Sequence, residues 1–400
     1  MATQFNANSE VAAPRVRPGS LNNGTDSRAL YLKLFSGEMF KGFQHNTIAR
    51  DLIMKRTLTK GRSLQFIYTG RTKAEYHTPG QPILGNSQGS PPVAEKTITI
   101  DDLLISSAFL YDLDETLAHY DLRSEISRKI GYALAQKYDR LIFRAVTRGA
   151  RAKSPIQMTN FEEPGGTQIR VGTTTTADEA YDAGKLVTAF FDAAAAMDEK
   201  GVSQDGRVAV LNPRQYYALV RETGSNALIN RDETGSALQS GEGVVSIAGI
   251  KIYKSMNIPF FGNYGTKYGT AGATNPGITE PSNKGDFTSE VMEDAENTDD
   301  GINNDYGEGG DGATGDFKNS CGLIFQREAA GCVEAIGPQV QTTSGDVSVV
   351  YQGDVILGRL AMGADYLNPA AACELYCGTA TAPAQFGTAQ LVNNNAGYGG

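Results

Sequence analysis

The residues that could do chemistry are few and scattered along the chain. There are three histidines, His45, His77 and His119, and none stands in a recognisable catalytic or metal-binding motif. His119 falls in a predicted helix, where an ordinary surface position explains it. The sequence contains no G-x-x-x-x-G-K-[ST] phosphate-binding loop and no G-x-S-x-G nucleophile turn. We therefore predict no catalytic residue and no bound cofactor, and we favour a non-enzymatic protein over, for example, an acidic extracellular hydrolase.

Metal binding is also weakly supported. Cys373 and Cys377 have a spacing that could hold zinc if a second pair of cysteines came near. Cys321 and Cys332 fall within a strand pattern and make a poor second pair. Four cysteines in a chain of this size do not form a disulfide framework. We expect buried or half-buried thiols and no metal.

Two carboxylate clusters have simpler explanations than chemistry. Residues 286–316 contain eleven Asp/Glu and no Lys or Arg, but their spacing fits neither an EF-hand nor the nonapeptide calcium repeat. A solvated acidic loop is the favoured interpretation. Asp112, Asp114 and Glu115 lie at the start of a predicted helix, where the helix dipole favours negative charge.

The overall composition excludes several classes of protein. The net charge of the 400 residues is −9 and the pI is about 5.1, which argues against a nucleic-acid binder. Residues 1–62 are the exception, with ten Lys/Arg against four Asp/Glu. No apolar run approaches the ~18 residues of a membrane span. The first twenty residues lack the apolar region of a signal peptide, so we expect synthesis in a cytoplasm without export by the standard route.

The elements that must position these residues begin with a long hairpin. Ser63–Thr69 and Lys96–Ile100 are predicted strands, separated by a polar tip rich in proline and glycine. Because an isolated hairpin is marginal in water, we expect this one to pack on something outside itself. Apolar residues at three- and four-residue steps then predict one helix over 112–149, with Asp112 as N-cap and Gly149 as stop. Such a helix is roughly 50 Å long.

The rest of the chain reads as a compact α/β unit followed by returning strands. The stretch 150–177 is linker-like, and Phe261–Phe317 is an insertion almost empty of aliphatic residues. The remaining predicted elements are helices over Asp178–Lys200 and from Pro213, and strands over 207–211, 249–258, 321–328, 331–341, 346–351 and 354–362.

Several long stretches resemble a known family. They are ALYLKLFSGEMFKGF, SLQFIYTGR, HTPGQPILGN, EKTITIDDLLISSAFLYDLDETLAHYDLRSEI and YQGDVILGRLAMGADYLNP. They are similar to the major capsid proteins of T7-like podoviruses, above all those of marine cyanophages. The resemblance extends over about residues 29–260 and 320–377.

The resemblance implies an α+β fold of the HK97 type, with an N-arm, an E-loop hairpin, a spine helix, a P-domain and an A-domain. By sequence order, the N-arm falls at 1–59, the E-loop at 60–105 and the first P-domain part at 106–177, with the spine helix at 112–149. The A-domain falls at 178–330, with the acidic insertion at about 262–318. P-domain strands follow at 331–377, and a flexible tail occupies 378–400.

The resemblance also implies a function. Hexamers and pentamers of the chain would form the icosahedral shell around the double-stranded DNA of a tailed phage. The shell would form in the host bacterial cytoplasm as a scaffolded procapsid, would mature by expansion and would be held by non-covalent contacts. Implied partners are a scaffolding protein, a portal protein at one vertex, DNA bound without sequence specificity and, optionally, a decoration protein, but no membrane. The alternative within the same fold is an encapsulin-like nanocompartment shell.

Charged residues near the hairpin are the candidate inter-subunit contacts, since arginine suits interface carboxylates. They are Arg50, Arg56, Arg62, Arg71, Lys73 and His77, with Asp112, Asp114 and Glu115 as candidate partners. Contact of the basic arm with scaffold or DNA stays open as the other explanation. Lys73 could in principle form an isopeptide bond, as in some relatives of this fold, but we expect none. Gly61 and Gly70 are the candidate hinges.

Overall fold

A computed structural model describes residues 48–71, 74, 76–80, 93–100, 103–111, 122–155, 163–173, 177–221, 246–258, 317, 319–342, 352–379 and 382. The chain divides into two compact units. The described part of the first unit consists of residues 103–111, 122–136, 336–342 and 352–361, and the other described residues belong to the second unit.

In the described chain, four strands precede the first α-helix and six strands follow the last one. The strands are β1 (Met54–Thr57), β2 (Ser63–Thr69), β3 (Val93–Thr99), β4 (Leu104–Tyr111), β5 (Thr167–Arg170), β6 (Arg207–Leu211), β7 (Ser246–Ile247), β8 (Ile250–Lys254), β9 (Ser320–Gln326), β10 (Ala330–Thr342), β11 (Gly353–Tyr366) and β12 (Ala372–Tyr376). The helices are α1 (Leu122–Arg151), α2 (Ala183–Glu199) and α3 (Pro213–Arg221), with 3₁₀ turns at Ala49–Asp51, Ala177–Tyr181 and Pro369–Ala371.

Three sheets organise these strands. Their strand orders are β1-β10-β11-β4, β5-β12-β9-β6-β8-β7 and β2-β3. The six-stranded sheet is mixed, because β6 pairs with β8 in parallel and with β9 antiparallel. The architecture is therefore α+β with mixed sheets.

In the first unit, helix α1 covers one face of a strand pair. β4 and β11 are antiparallel, with Ala108 opposite Ile356. Ile130 and Leu134, one turn apart on α1, pack on Ile356, which is fully buried. Leu104, Ala108 and Ile126 complete this cluster. The apolar stripe of α1 is thus used as its spacing predicts.

In the second unit, the six-stranded sheet forms the core. All five residues of β6 are buried, as expected for a central strand with apolar residues on both faces. Helix α2 begins after Asp182, whose carboxylate accepts hydrogen bonds from the backbone of Gly184 and Lys185 at 2.9 and 3.3 Å. This N-cap explains why α2 starts at Ala183, five residues after the predicted start at Asp178.

The end of α1 is joined to β12 by a buried ion pair. Arg151 donates to Glu374 through Nε at 2.8 Å and through Nη2 at 2.6 Å, and both side chains are fully buried. Gln168 donates to the same carboxylate at 3.1 Å. The helix therefore continues to Arg151, and the predicted stop at Gly149 is wrong. Gly149 is instead a point of close approach, because a Cβ there would lie 2.9 Å from Cβ of Tyr366.

Other predicted boundaries shift by a few residues. The second hairpin strand is Val93–Thr99, because it pairs residue for residue with Ser63–Thr69. The stretch expected as a linker contains β5, and β4 was not predicted. Phe317, at the end of the expected insertion, is buried beneath the guanidinium of Arg151, whose Cζ lies 4.8 Å from the ring centre. Strands predicted over 249–258, 321–328 and 354–362 are observed as β8, β9 and β11.

Several predictions fall outside the described residues. These are the N-arm up to residue 47, the start of the long helix at 112–121, the strand at 346–351, almost all of the acidic insertion and most of the tail. Among the described helices, none is long and apolar enough to cross a membrane.

Candidate functional site

The cysteines are buried as neutral thiols. All four are free and buried, and burial raises the pKa of Cys332 and Cys377 to about 11 and that of Cys373 to about 12. Thiolates, the form that binds metals and attacks electrophiles, are therefore disfavoured. In the described part of the chain, no three His, Cys, Asp or Glu side chains are grouped to hold a metal ion.

The β2–β3 hairpin is the first candidate contact element. Its root packs on the rest of the chain. Ile98 is 1 % exposed and Ile100 is 8 % exposed, which contributes about 1.5–3 kcal/mol for each buried side chain. Lys96 pairs with Asp365 at 2.7 Å, and its Nζ lies 3.8 Å from the ring centre of Tyr366. The root therefore has a core within its own chain, and the expectation that the whole hairpin lacks one is wrong for this end.

The outer face of the hairpin has no such cover. Ile67 is 74 % exposed and Val93 is 53 % exposed. Gln65 and Thr97, a cross-strand pair on the same face as Ile67, are also exposed. An apolar patch within a polar face of this kind is typical of a contact surface.

At the far end of the hairpin, Arg71 contacts the rest of the second unit. Its Nη2 donates to the carbonyl oxygen of Lys200 at 2.6 Å, and its Nε donates to Glu163 at 3.2 Å. Nζ of Lys200 in turn donates to the carbonyl oxygens of Gly165 and Gly166 at 2.7 and 3.0 Å. The hairpin strands are thus held on their own chain at both ends.

A buried polar network holds the beginning of the described chain on helix α1. Arg50 donates from Nε and Nη2 to the two carboxylate oxygens of Glu334 at 3.0 and 3.1 Å, and Tyr138 donates to the same carboxylate at 2.8 Å. Burial alone would raise the pKa of Glu334, but these hydrogen bonds outweigh burial and lower it. The carboxylate therefore stays ionised.

Next to this network, Asp139 caps the 3₁₀ turn Ala49–Asp51 from helix α1. Its carboxylate accepts hydrogen bonds from the backbone N–H groups of Ile48 and Ala49, both at 3.1 Å. Asp139 is 1 % exposed, and burial raises its pKa to about 7 although both hydrogen bonds lower it. Tyr138 and Asp139 together fix the point from which the arm departs.

A second exposed apolar surface lies on the first unit. Pairing of β4 with β11 places Phe109 opposite Val355 and Ile105 opposite Arg359, on the face away from α1. Leu103, Ile105 and Phe109 are 49, 56 and 44 % exposed. Among the described strands, β4 is also the edge of its sheet. This β4–β11 face is a candidate contact surface of the same kind as the hairpin.

The predicted site residues are placed in different surroundings. Arg50 and Arg71 have the partners given above, and Cζ of Arg56 lies 5.1 Å from the ring centre of Phe66. Arg62 and His77 are exposed. Lys73, Asp112, Asp114 and Glu115 lie outside the described residues.

The two candidate hinges differ from each other. Gly61 is exposed with φ of +97°, which side-chain-bearing residues rarely adopt. Gly70 is buried. The hinge role of both glycines stays a prediction.

Sequence reasoning missed Glu334, Asp139, Lys96 and Asp365. Glu334 had a usable signal, since it is the only charged residue within the apolar run Cys332–Ile336. Asp139 had none, because its partners are the backbone groups of residues 90 positions away.

Comparison with known proteins finds similarity over most of the chain. The sequence profile of a family described as "Gp10A-like: Major capsid protein" matches residues 65–296. The major capsid protein of Escherichia phage T7 is 26 % identical over 350 residues, which are 87 % of this chain and 91 % of that protein. The major capsid protein of Enterobacteria phage T3 is 36 % identical over 121 residues, which are 30 % of this chain and 35 % of that protein.

The solved structures that resemble this chain are also phage capsids. The capsid structure of the cyanophage P-SCSP1u has a TM-score of 0.62 and 31 % identity, covering 90 % of this chain and 97 % of that one. The mature capsid of bacteriophage PhiM1 has a TM-score of 0.58 at 15 % identity, covering 86 % of this chain and 91 % of that one, and this shows a shared fold. These phage capsids have the HK97-type fold, which confirms the fold class predicted from sequence.

Proposed function

The chain belongs to the Gp10A-like major capsid protein family, and we propose on this premise that copies of it build the icosahedral shell enclosing the double-stranded DNA of a tailed phage. The observation that carries the proposal is the extent of the similarity. It covers 90 % of the chain in the comparison with the cyanophage capsid, at 31 % identity. A shared domain within an unrelated protein would not match over that length.

The two exposed apolar surfaces support assembly. The hairpin presents Ile67 and Val93, and the β4–β11 face presents Ile105 and Phe109. Two different surfaces on one chain allow head-to-tail contacts, and such contacts close into rings when the rotation between copies is suitable. We propose that the hairpin is the E-loop of this fold and that it packs on a neighbouring copy through the exposed side chains of Ile67 and Val93.

We propose that the contacts between copies are non-covalent and form hexamers and pentamers. Arg56, Arg62 and His77 are exposed in the described chain and can therefore serve as inter-subunit partners near the hairpin. Lys73, Asp112, Asp114 and Glu115 stay as proposed contacts. We propose no isopeptide bond at Lys73.

Assembly through a scaffolded procapsid that expands around entering DNA is the finer part of the proposal. Its partners are a scaffolding protein, a portal protein at one vertex and the packaged DNA, with assembly in the host cytoplasm. The net charge of −9 supports weak, non-specific contact with DNA, since many lysine–phosphate contacts would hold the genome tightly.

The alternatives are disfavoured on different grounds. The family is one of structural proteins, so we propose no catalytic activity. The relatives described above are phage capsid proteins, which disfavours an encapsulin-like nanocompartment.

Electron microscopy of the chain co-expressed with and without its candidate scaffolding protein tests the proposal. We expect closed shells of uniform diameter with the scaffold and aberrant shells without it. Uniform small shells without the scaffold would support the nanocompartment. Unassembled chains under both conditions would contradict a shell function altogether.

A further inference from the structure

The two ends of the β2–β3 hairpin are attached by contacts of different physical character. At the root, Ile98 and Ile100 are buried, and Lys96 and Asp365 are about four-fifths buried where they pair. At the far end, Arg71 makes the polar contacts described above, and its side chain is 51 % exposed. Apolar burial does not depend on salt in the way that an exposed ion pair does.

The receptor for Arg71 is held by hydrogen bonds that do not involve Arg71. Nζ of Lys200 donates to Gly165, Gly166 and Thr167, and burial lowers the pKa of this amine. These contacts fix the carbonyl of Lys200 beside the segment that carries Glu163. One neutral carbonyl and one carboxylate therefore face a single guanidinium, 2.6 and 3.2 Å from its nitrogen atoms.

The receptor can release Arg71 at little cost. The Glu163 side chain is 24 % exposed and that of Arg71 is 51 % exposed, so water can replace each contact as it breaks. The receptor keeps its shape through the hydrogen bonds of the Lys200 amine, whose acceptors Gly165, Gly166 and Thr167 lie outside the hairpin. An opened hairpin would also leave the buried root intact.

We propose that Arg71 is a releasable latch, and that the hairpin swings about its fixed root when Arg71 leaves Glu163 and the carbonyl of Lys200. The latch itself stands on this geometry alone. Only its use rests on the proposed function: chains in unequal positions of a shell need hairpins at different inclinations.

Distance measurement by electron spin resonance tests the latch in the unassembled full-length chain. Spin labels are attached to cysteines introduced by the substitutions T69C, at the far end of β2, and E199C, next to Lys200. Both positions are exposed. A second pair, at Ser63 and Glu199, reports on the root. The four native cysteines are buried, and the chain without engineered cysteines gives their background labelling.

The variants are R71A, E163Q and the matched control K60A. Lys60 is exposed near the root, so K60A removes the same charge without touching the latch. We expect one narrow Thr69–Glu199 distribution in the parent chain and in K60A. In R71A, which loses both contacts, we expect the population at longer distance to rise at least about fivefold over that of the parent chain. E163Q, and the parent chain at about 1 M salt, weaken only the ion pair with Glu163 and should raise this population by less. The Ser63–Glu199 distances should stay unchanged.

Two results would overturn the latch. One is an R71A chain that matches K60A at both low and high salt. The other is movement of the Ser63 label together with the Thr69 label, because the hairpin would then detach as a whole. Neither result bears on whether shells form, which electron microscopy decides separately.

Discussion

Asp139 links the ionisation of one residue to the stability of the second unit. Its carboxylate is buried where it accepts the N–H groups of Ile48 and Ala49. Burial raises its pKa to about 7 in the folded chain, against about 3.9 in an unfolded chain. The folded chain therefore holds a proton that the unfolded chain has lost between these values. The stability that this proton adds is present below pH ~4 and disappears as the pH rises through about 7.

The substitution D139N should remove this pH dependence. We expect the free energy of unfolding of the parent chain, relative to D139N, to be larger at pH 5 than at pH 8 by more than about 1 kcal/mol. Denaturant titration of the unassembled chain at both pH values measures it. D51N, at an exposed position in the same 3₁₀ turn, is the control and should leave the pH dependence intact. An equal gap between the parent chain and D139N at both pH values would contradict the shift.

The ion pair of Arg151 and Glu374 is fully buried. Water does not reach either side chain, so E374A removes the carboxylate to which the buried guanidinium of Arg151 donates. We expect a loss of about 3–5 kcal/mol in the free energy of unfolding, measured by denaturant titration. E328A, at an exposed turn position, should change it by less than about 0.5 kcal/mol. A loss below 1 kcal/mol in E374A would mean that the pair contributes little.

At the scale of the element, helix α1 contains two glycines with opposite roles. Gly131 has open space where a Cβ would stand, with nothing within 4 Å. Gly149 would place a Cβ 2.9 Å from Cβ of Tyr366 and 3.5 Å from Cβ of Ala372. Intrinsic helix propensity favours alanine at both positions by about 1 kcal/mol. Packing therefore decides the difference between them.

The substitutions G131A and G149A make a matched pair. We expect G131A to raise the free energy of unfolding by up to about 1 kcal/mol, because alanine restricts the unfolded chain and meets no neighbour. We expect G149A to lower it by about 1–3 kcal/mol, because β11 must shift away from α1. Thermal or denaturant unfolding of the two variants measures both. The same sign in both variants would contradict the close approach at Gly149.

At the scale of the whole molecule, a shell subunit must keep apolar surface exposed until it meets another copy. Ile67 and Ile105 are 74 and 56 % exposed, so they add little to the stability of the separate chain. Their burial between copies would add to the stability of a shell, since each buried apolar side chain contributes about 1.5–3 kcal/mol. Repetition around a closed shell multiplies that contribution.

The substitutions I67T and I105T should therefore separate folding from assembly. We expect each to change the free energy of unfolding of the chain by less than about 0.5 kcal/mol while lowering the yield of closed shells. Sedimentation of the assembly reaction and electron microscopy give the yield. L110A on the opposite, buried face of β4 is the contrasting variant, which should destabilise the chain itself. Full shell yield in both threonine variants would exclude these two side chains as contacts.

Part of this architecture was determined by local sequence. The apolar stripe of α1, the buried strand Arg207–Leu211 and the first hairpin strand Ser63–Thr69 were all predicted from periodicity, because side-chain direction follows the helical or strand repeat within a few residues. The family was predicted from long stretches of residues, and its profile matches residues 65–296.

The tertiary structure decided what depends on distant pairing. Arg50 donates to the carboxylate of Glu334, which lies 284 positions away in the sequence. Strand β12 lies between β5 and β9 in the six-stranded sheet. No local pattern in the sequence indicates either pairing. The hairpin had seemed to lack a core, yet its root is buried on its own chain and Arg71 ties its far end to Lys200. Such contacts depend on how the chain closes on itself, because a side chain's type limits which partners suit it and only the fold decides which of them it meets.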